Sequence, residues 1–162
     1  MPGFSSTRRS ACSERGERGC GHIIIQGLTI RHMPRSGIAT DSDTPALYRG
    51  ITIRDYVLHD NGLSGLRLAA VAGFLVEHVE AYGNACDGLD IVSSDDGALS
   101  PGPGVVCGSS FHGHTEPEGH GLVINQGHDI TVSDCRAYHN AVHGFDVSDW
   151  PRAISVCSPG PP

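Results

Sequence analysis

The amino-acid sequence predicts an all-β chain wound as a right-handed parallel β-helix (a solenoid) of about five coils. Three observations predict it: a unit that recurs at about 23 residues, an asparagine that returns at one place in that unit, and a composition of turns around a narrow core. The 162 residues hold 22 Gly and 10 Pro, while hydrophobic residues make up 38% and aromatic residues only 6%. A layered core needs more apolar bulk than this. A solenoid needs less, because each coil buries a thin strip against its neighbours.

In order, the units read "IIIQGLTIRHMPRSGIAT" (23–40), "ITIRDYVLHDNGLSGLRL" (51–68), "FLVEHVEAYGNACDGLDI" (74–91), "VVCGSSFHGHTEPEGHGLVI" (105–124) and "ITVSDCRAYHNAVHGFDV" (130–147). Each opens on a short run of β-branched residues alternating with polar ones, the period-2 pattern of a half-buried strand. Each crosses a polar turn and closes on Gly–apolar–x–apolar or a near variant. The closing glycines are Gly37, Gly65, Gly88, Gly121 and Gly144. Asn61, Asn84 and Asn140 hold one place before the glycine, His114 takes that place in the fourth unit if one residue is deleted there, and Met33 breaks the pattern in the first. A leucine-rich repeat has a similar period, but its LxxLxLxxN signature is missing. Coils stacked about 4.8 Å apart set like residues on like, so the asparagines are expected to form an amide ladder. Two inward columns follow: Ile25, Ile53, Val76, Cys107 and Val132, then Ile38, Leu66, Leu89, Leu122 and Phe145.

These units occupy residues 22–150. Residues 1–21 carry Arg8, Arg9, Arg15 and Arg18 with no apolar run behind them, so they read as a disordered or non-native leader and not as a secretory signal. Residues 151–162, "PRAISVCSPGPP", read as a disordered tail that offers neither another coil nor a cap. The expectation is a monomeric piece of a longer β-helix whose parent protein works outside the cell or at its surface. Residues 92–104, "VSSDDGALSPGPG", form a surface insertion.

Formal net charge is −7 and all eleven basic residues are Arg. Nucleic acid is not expected as a partner, because phosphate binding needs a basic footprint. No apolar run approaches the roughly 18 residues of a membrane helix. An acidic polysaccharide is repelled by such a chain unless a bound cation reverses the sign locally. The six cysteines show no CxxC pair and no finger spacing.

The stretch "ACDGLDIVSSDDG" (85–97) concentrates four aspartates. Stacking puts Ala39, Arg67, Asp90, Val123 and Asp146 in one outward column. Ser36, Ser64, Asp87, His120 and His143 lie just before the glycines. Asp87, Asp90, Asp95 and Asp96 are therefore candidate ligands for calcium, which takes about six to eight oxygens in flexible geometry. The alternative is that Asp-Gly simply makes a turn. A transition-metal option lies in "FHGHTEPEGH", through His112 and His114 with Glu116 or Glu118.

The fragments "AYGNACDGLDI", "GHGLVINQGHDITVSDCRAYHN" and "HGFDVSD" resemble the parallel β-helix polysaccharide lyases, nearest to the family 9 pectate lyases, over roughly residues 73–149. The resemblance implies calcium-dependent β-elimination on pectate or another uronate polymer. The family's D-D-G-x-D style calcium turn reads Cys86-Asp87-Gly88-Leu89-Asp90 here, so Asp87 and Asp90 carry over as ligands and Cys86 does not. The family's catalytic lysine stands where this chain has Val123, in the run Gly119-His120-Gly121-Leu122-Val123, and the chain holds no Lys. The base then falls to Arg67 or His120. Guanidinium is a poor base at neutral pH, whereas imidazole titrates close to it. Arg67, His143 and Asp146 are the expected substrate-binding residues. Two other readings stay open. One is a non-catalytic carbohydrate-binding or surface β-helix. The other is a uronate C5-epimerase relative, whose face needs a His/Tyr/Asp set that "HGFDVSD" meets loosely with His143, Asp146 and Asp149.

Overall fold

The computed structural model describes residues 21–40, 48–148 and 152–157. Among them the secondary structure is all strand. The first coil holds β1 (Gly21–Gln26), β2 (Thr29–Arg31) and β3 (Ile38–Ala39), and the second holds β4 (Tyr48–His59) and β5 (Leu66–Ala69). The third runs from β6 (Val71–Ala72) through β7 (Phe74–Tyr82) to β8 (Leu89–Val92). The fourth holds β9 (Gly104–Cys107), β10 (Ser110–His112) and β11 (Leu122–Asn125), and the fifth holds β12 (His128–Ser133), β13 (Arg136–Tyr138) and β14 (Phe145–Ser148). All pairings are parallel. One sheet runs β1-β4-β7-β9-β12 and on to a last strand, β15 (Arg152–Cys157), with the shorter strands alongside, and the other runs β14-β11-β8-β5-β3.

The last strand, β15 (Arg152–Cys157), corrects the expectation for residues 151–162. It pairs in parallel with β12, setting Ile154 against Ile130 and Val156 against Val132, and so opens a sixth turn. Alternation in "RAISVC" was too short to stand alone, but the open edge of β12 supplies the backbone partners such a run needs. The leader expected at 1–21 lies outside the described residues, except for Gly21, which opens β1.

The short strands have a backbone cause. At one corner His32, Asp60, Gly83, Gly113 and His139 stack with φ of 57°, 53°, 59°, 68° and 54°. At a second corner Gly27, Asp55, His78, Gly108 and Asp134 do the same, at 71°, 57°, 50°, 58° and 53°. Glycine adopts this left-handed conformation freely, and Asp and His tolerate it better than branched residues do. Each corner residue of the first set directly precedes a ladder residue: Met33, Asn61, Asn84, His114 or Asn140.

The column from Ile38 to Phe145 forms as expected. The other column needs one correction. Val106, not Cys107, stands between Val76 and Val132, while Cys107 lies between Glu77 and Ser133. The run "GVVCG" has no polar residue to mark its face, and a slip of one residue in a strand exchanges inside for outside.

The closing glycines are required by close approach. A Cβ on Gly88 would stand 2.6 Å from the carbonyl oxygen of Gly121, 2.8 Å from His114 Nε2 and 2.9 Å from a ring carbon of Phe111. Gly37 and Gly65 meet the next glycine's carbonyl at 2.8 Å in the same way.

The buried ladder runs the length of the stack. Asn61 Oδ1 accepts the Met33 N–H at 3.1 Å, and Asn84 Oδ1 accepts both the N–H and the side-chain amide of Asn61, at 3.1 and 2.8 Å. His114 Nδ1 accepts the Asn84 N–H at 3.2 Å, and Asn140 Oδ1 accepts the His114 N–H at 3.3 Å. The asparagine amides donate in turn to carbonyls of the coil before, Leu58 for Asn84 and Phe111 for Asn140. His114 is fully buried and its Nε2 has no partner. Burial holds its imidazole below the ordinary value of 6.5, against the upward pull of backbone hydrogen bonds.

Two predictions follow from these contacts. Gly88→Ala should destabilise the chain by about 1–3 kcal/mol or more, seen as a lower denaturation midpoint, because backbone and buried rings surround the new methyl. His114 resists protonation in the fold, so its contribution is complete above 6.5, the value in the unfolded chain, and is lost as pH falls through the lower folded value. His114→Asn should flatten that acid-side loss in denaturation curves taken across this range, with the new amide facing the carbonyl of Ala81. An unchanged pH slope would show that the ladder histidine is not its source.

Candidate functional site

The outward face of the sheet β3-β5-β8-β11-β14 collects the chemistry-bearing side chains coil by coil. Register places Arg67 beside Asp90 and Asp90 beside Val123, with Asp146 beyond. Arg67 and Asp90 form a charge-assisted hydrogen bond. The Asp90 side chain is 9% exposed and Arg67 36%. Burial pushes the Asp90 carboxyl above the usual range, and the Arg67 guanidinium pulls against it.

Asp87 precedes Gly88 in the turn that enters β8, and His120 holds the equivalent place before β11. The backbone N–H of His120 donates to Asp87 Oδ1 at 3.1 Å, and its ring Nδ1 lies 3.0 Å from the same oxygen. Burial raises the Asp87 carboxyl, while the two His120 hydrogen bonds oppose the rise. On its other side His120 Nε2 lies 3.8 Å from Asp146 Oδ2, and His143 Nδ1 lies 3.8 Å from that same oxygen. The two imidazoles stack with centroids 5.3 Å apart. Turn positions one coil apart thus bring Asp87, His120, His143 and Asp146 into a single group.

A cleft of about 660 Å³ opens beside this group, lined by Arg35, Ser64, Arg67, Asp87, Asp90 and Asp95 among others. Arg35 was missed in the sequence reading. Its position, one residue ahead of Ser36 and equivalent to Leu63 and Cys86, could have revealed it. Asp96 is not part of the lining. Its carboxylate accepts from Ser94 Oγ at 2.5 Å and from the Ala98 N–H at 3.0 Å, and so closes its own loop. Three of the four aspartates, Asp87, Asp90 and Asp95, share this cleft. Asp90 is neutralised by Arg67, one oxygen of Asp87 is held by His120, and Asp96 is turned away. Asp87 Oδ2 and Asp95 are left, well short of about six oxygens.

The expected pairing of His112 with His114 does not form either. His114 is buried in the ladder, while His112 stacks outside between Tyr82 and Tyr138, with centroids at 5.4 and 4.5 Å. The left-handed corner at Gly113 separates their directions. His143 and Asp146 do share one site. Asp149 lies outside the described residues.

Arg67→Ala should leave the Asp90 carboxylate buried without a cation, destabilising the chain by about 1–3 kcal/mol at neutral pH. The variant raises the Asp90 folded value further above its ordinary 3.8, so the deficit is largest where Asp90 is ionised and shrinks as pH falls through that value. Thermal melts between neutrality and about pH 4 check this. Adding Asp90→Asn should restore most of the stability at neutral pH.

Comparison with known proteins places these features in a family. A family model described as a right handed beta helix region matches residues 17–157, and so includes β15 along with the coils expected at 22–150. The chain is 31% identical over 133 residues to mannuronan C5-epimerase AlgE3 of Azotobacter vinelandii, a stretch covering 77% of this chain and 6% of that protein. It is also 31% identical over 141 residues to mannuronan C5-epimerase AlgE2 of the same organism, covering 82% of this chain and 13% of that one. The chain thus spans a small part of the curated relatives it matches, and both bear the name of epimerases, not lyases. No solved structure matches it. Among the described residues no helix is long and apolar enough to cross a membrane. Parallel coils in register, and a family model that matches most of their length, show that this chain belongs to the right-handed β-helix family.

Proposed function

We propose that this chain is a uronan-acting β-helix segment. Its β3-β5-β8-β11-β14 face binds an acidic uronic-acid polysaccharide and moves the proton at C5, the carbon next to the sugar carboxylate. The observation that carries this reading is the Asp87–His120 pair on the same face as Arg67, His143 and Asp146.

A carboxylate only accepts hydrogen bonds. The proton of neutral His120 therefore lies on Nδ1, facing Asp87, and Nε2 keeps its lone pair toward the face. Such an imidazole is placed to accept a proton at Nε2, and Asp87 both fixes the tautomer and stabilises the imidazolium formed. Arg67 and Arg35 border the adjoining cleft, where a guanidinium can bind the sugar carboxylate and stabilise the charge that develops when C5 loses its proton. A guanidinium serves better in this role than as a base.

The carbanion has two fates. Return of a proton from the opposite side inverts C5, the reaction named for the relatives. Loss of the C4 oxygen gives an unsaturated sugar, as in the family 9 pectate lyases that the sequence resembles. Both fates begin with the same proton removal, for which Val123 offers no lysine, and epimerisation is preferred because the relatives bear that name. An acidic polymer on an acidic chain needs positive charge, and the guanidinium groups of Arg35 and Arg67 in the cleft lining are its local source. Calcium at Asp87 and Asp95 would need most of its shell from water, so the proton transfer is assigned to protein side chains alone.

Incubation with polymannuronate, polyguluronate or polygalacturonate in D2O tests this directly, since deuterium at C5 reports proton removal whatever its fate. The expected result is incorporation that His120→Ala lowers by about 10²–10⁴-fold. Inverted C5 would identify an epimerase, and a new double bond a lyase. Polymer binding without exchange would leave a non-catalytic binding module, and full exchange in His120→Ala would remove His120 as the base.

A further inference from the structure

We infer that His120, His143 and Asp146 form a binding site for a transition-metal dication of the zinc type, with Asp87 orienting the first ligand. One ligand atom from each of the three lies within 4.8 Å of the other two. The two contacts to Asp146 Oδ2, both 3.8 Å, are too long for hydrogen bonds. With Nδ1 of His120 committed to Asp87, its Nε2 lone pair faces a carboxylate across that gap. Lone pairs and negative charge facing one another are unfavourable without a cation between them.

The dimensions suit such an ion. Zinc stands about 2.0–2.2 Å from nitrogen and oxygen ligands, and tetrahedral ligands are then roughly 3.3–3.5 Å apart. Two contacts need to close by only a few tenths of an ångström. The widest gap can close through His143, whose side chain is 60% exposed and free to turn. The donor set decides which cation. Two imidazoles and a carboxylate suit zinc and its neighbours, whereas calcium prefers an all-oxygen shell. Three protein ligands leave a fourth position open, as in catalytic and not structural zinc sites. Asp87 then completes a carboxylate–histidine–metal relay, the usual support for a ligating histidine.

The inference stands apart from the polysaccharide reading, because binding is measured with no sugar present. It also bears on that reading. An ion on His120 Nε2 occupies the lone pair that proton removal needs, so zinc should suppress C5 exchange by the same chain.

The test is titration of the metal-stripped full chain with cobalt(II) chloride, followed by visible absorption, and with zinc chloride by calorimetry. The expected result is one equivalent with a tetrahedral cobalt spectrum, unaffected by added calcium. Asp87→Asn should weaken it about 10–100-fold, and His143→Ala or Asp146→Asn should weaken it more. His128→Gln, which alters another histidine beside an aspartate, should leave it unchanged. Circular dichroism confirms that each variant is folded. Absence of binding by the folded wild-type chain would overturn the inference, as would binding that His143→Ala and Asp146→Asn leave intact.

Discussion

The ladder of Asn61, Asn84, His114 and Asn140 is the interaction on which the rest of this molecule depends. A parallel stack of short strands has weak register of its own, because every coil offers similar backbone groups and a similar apolar strip. The ladder removes that freedom. Each side chain accepts the backbone N–H of the residue below it, in a core where an unmet amide is costly. Alternative registers would orphan several of these groups at once. The closing glycines enforce the same spacing sterically, since only hydrogen fits against the carbonyl of the next coil.

Function is built on this repetition by varying what points outward. The column through Arg67, Asp90, Val123 and Asp146 has the same backbone at every step, so its side chains meet their neighbours at one coil's distance. The turn column through Ser64, Asp87, His120 and His143 runs beside it. Where the two columns carry complementary groups, they pair across coils, as Arg67 does with Asp90 and Asp87 with His120. Where they do not, as among His120, His143 and Asp146, one nitrogen or oxygen of each stands within 4.8 Å of the others without a hydrogen bond between them. Burial acts on the inner members of the group and raises the carboxyls of Asp87 and Asp90, while the outermost, His143, stays open to solvent.

This arrangement also separates two roles that the sequence had merged. Four aspartates in thirteen residues suggest one cation cage, yet each of three has a distinct task. Asp90 neutralises an arginine, Asp87 orients a histidine, and Asp96 closes a surface loop. The site's guanidinium groups come from Arg35 and Arg67, and its histidines come from the next two coils. An extended polymer lying across the coils would meet these groups in succession, which suits the uronan reading better than a single-point cation turn does.

The amino-acid sequence by itself determined the coil. The repeated β-branched runs, the fixed place of Asn61, Asn84 and Asn140, and the glycines at 37, 65, 88, 121 and 144 follow from backbone sterics and hydrogen bonding, which act locally and leave periodic traces. Even the outward column was legible, because stacking converts sequence period into neighbourhood. Three things were decided only by the tertiary structure. The apolar run "GVVCG" had no contrast to say that Val106, and not Cys107, faces inward. Residues 152–157 became a strand only because β12 presents an edge to them. The partners of Asp87 and Asp90 were settled by which donors the folded coils bring within reach. A carboxylate's role depends on the charges around it, and those neighbours lie 23 to 33 residues away along the chain.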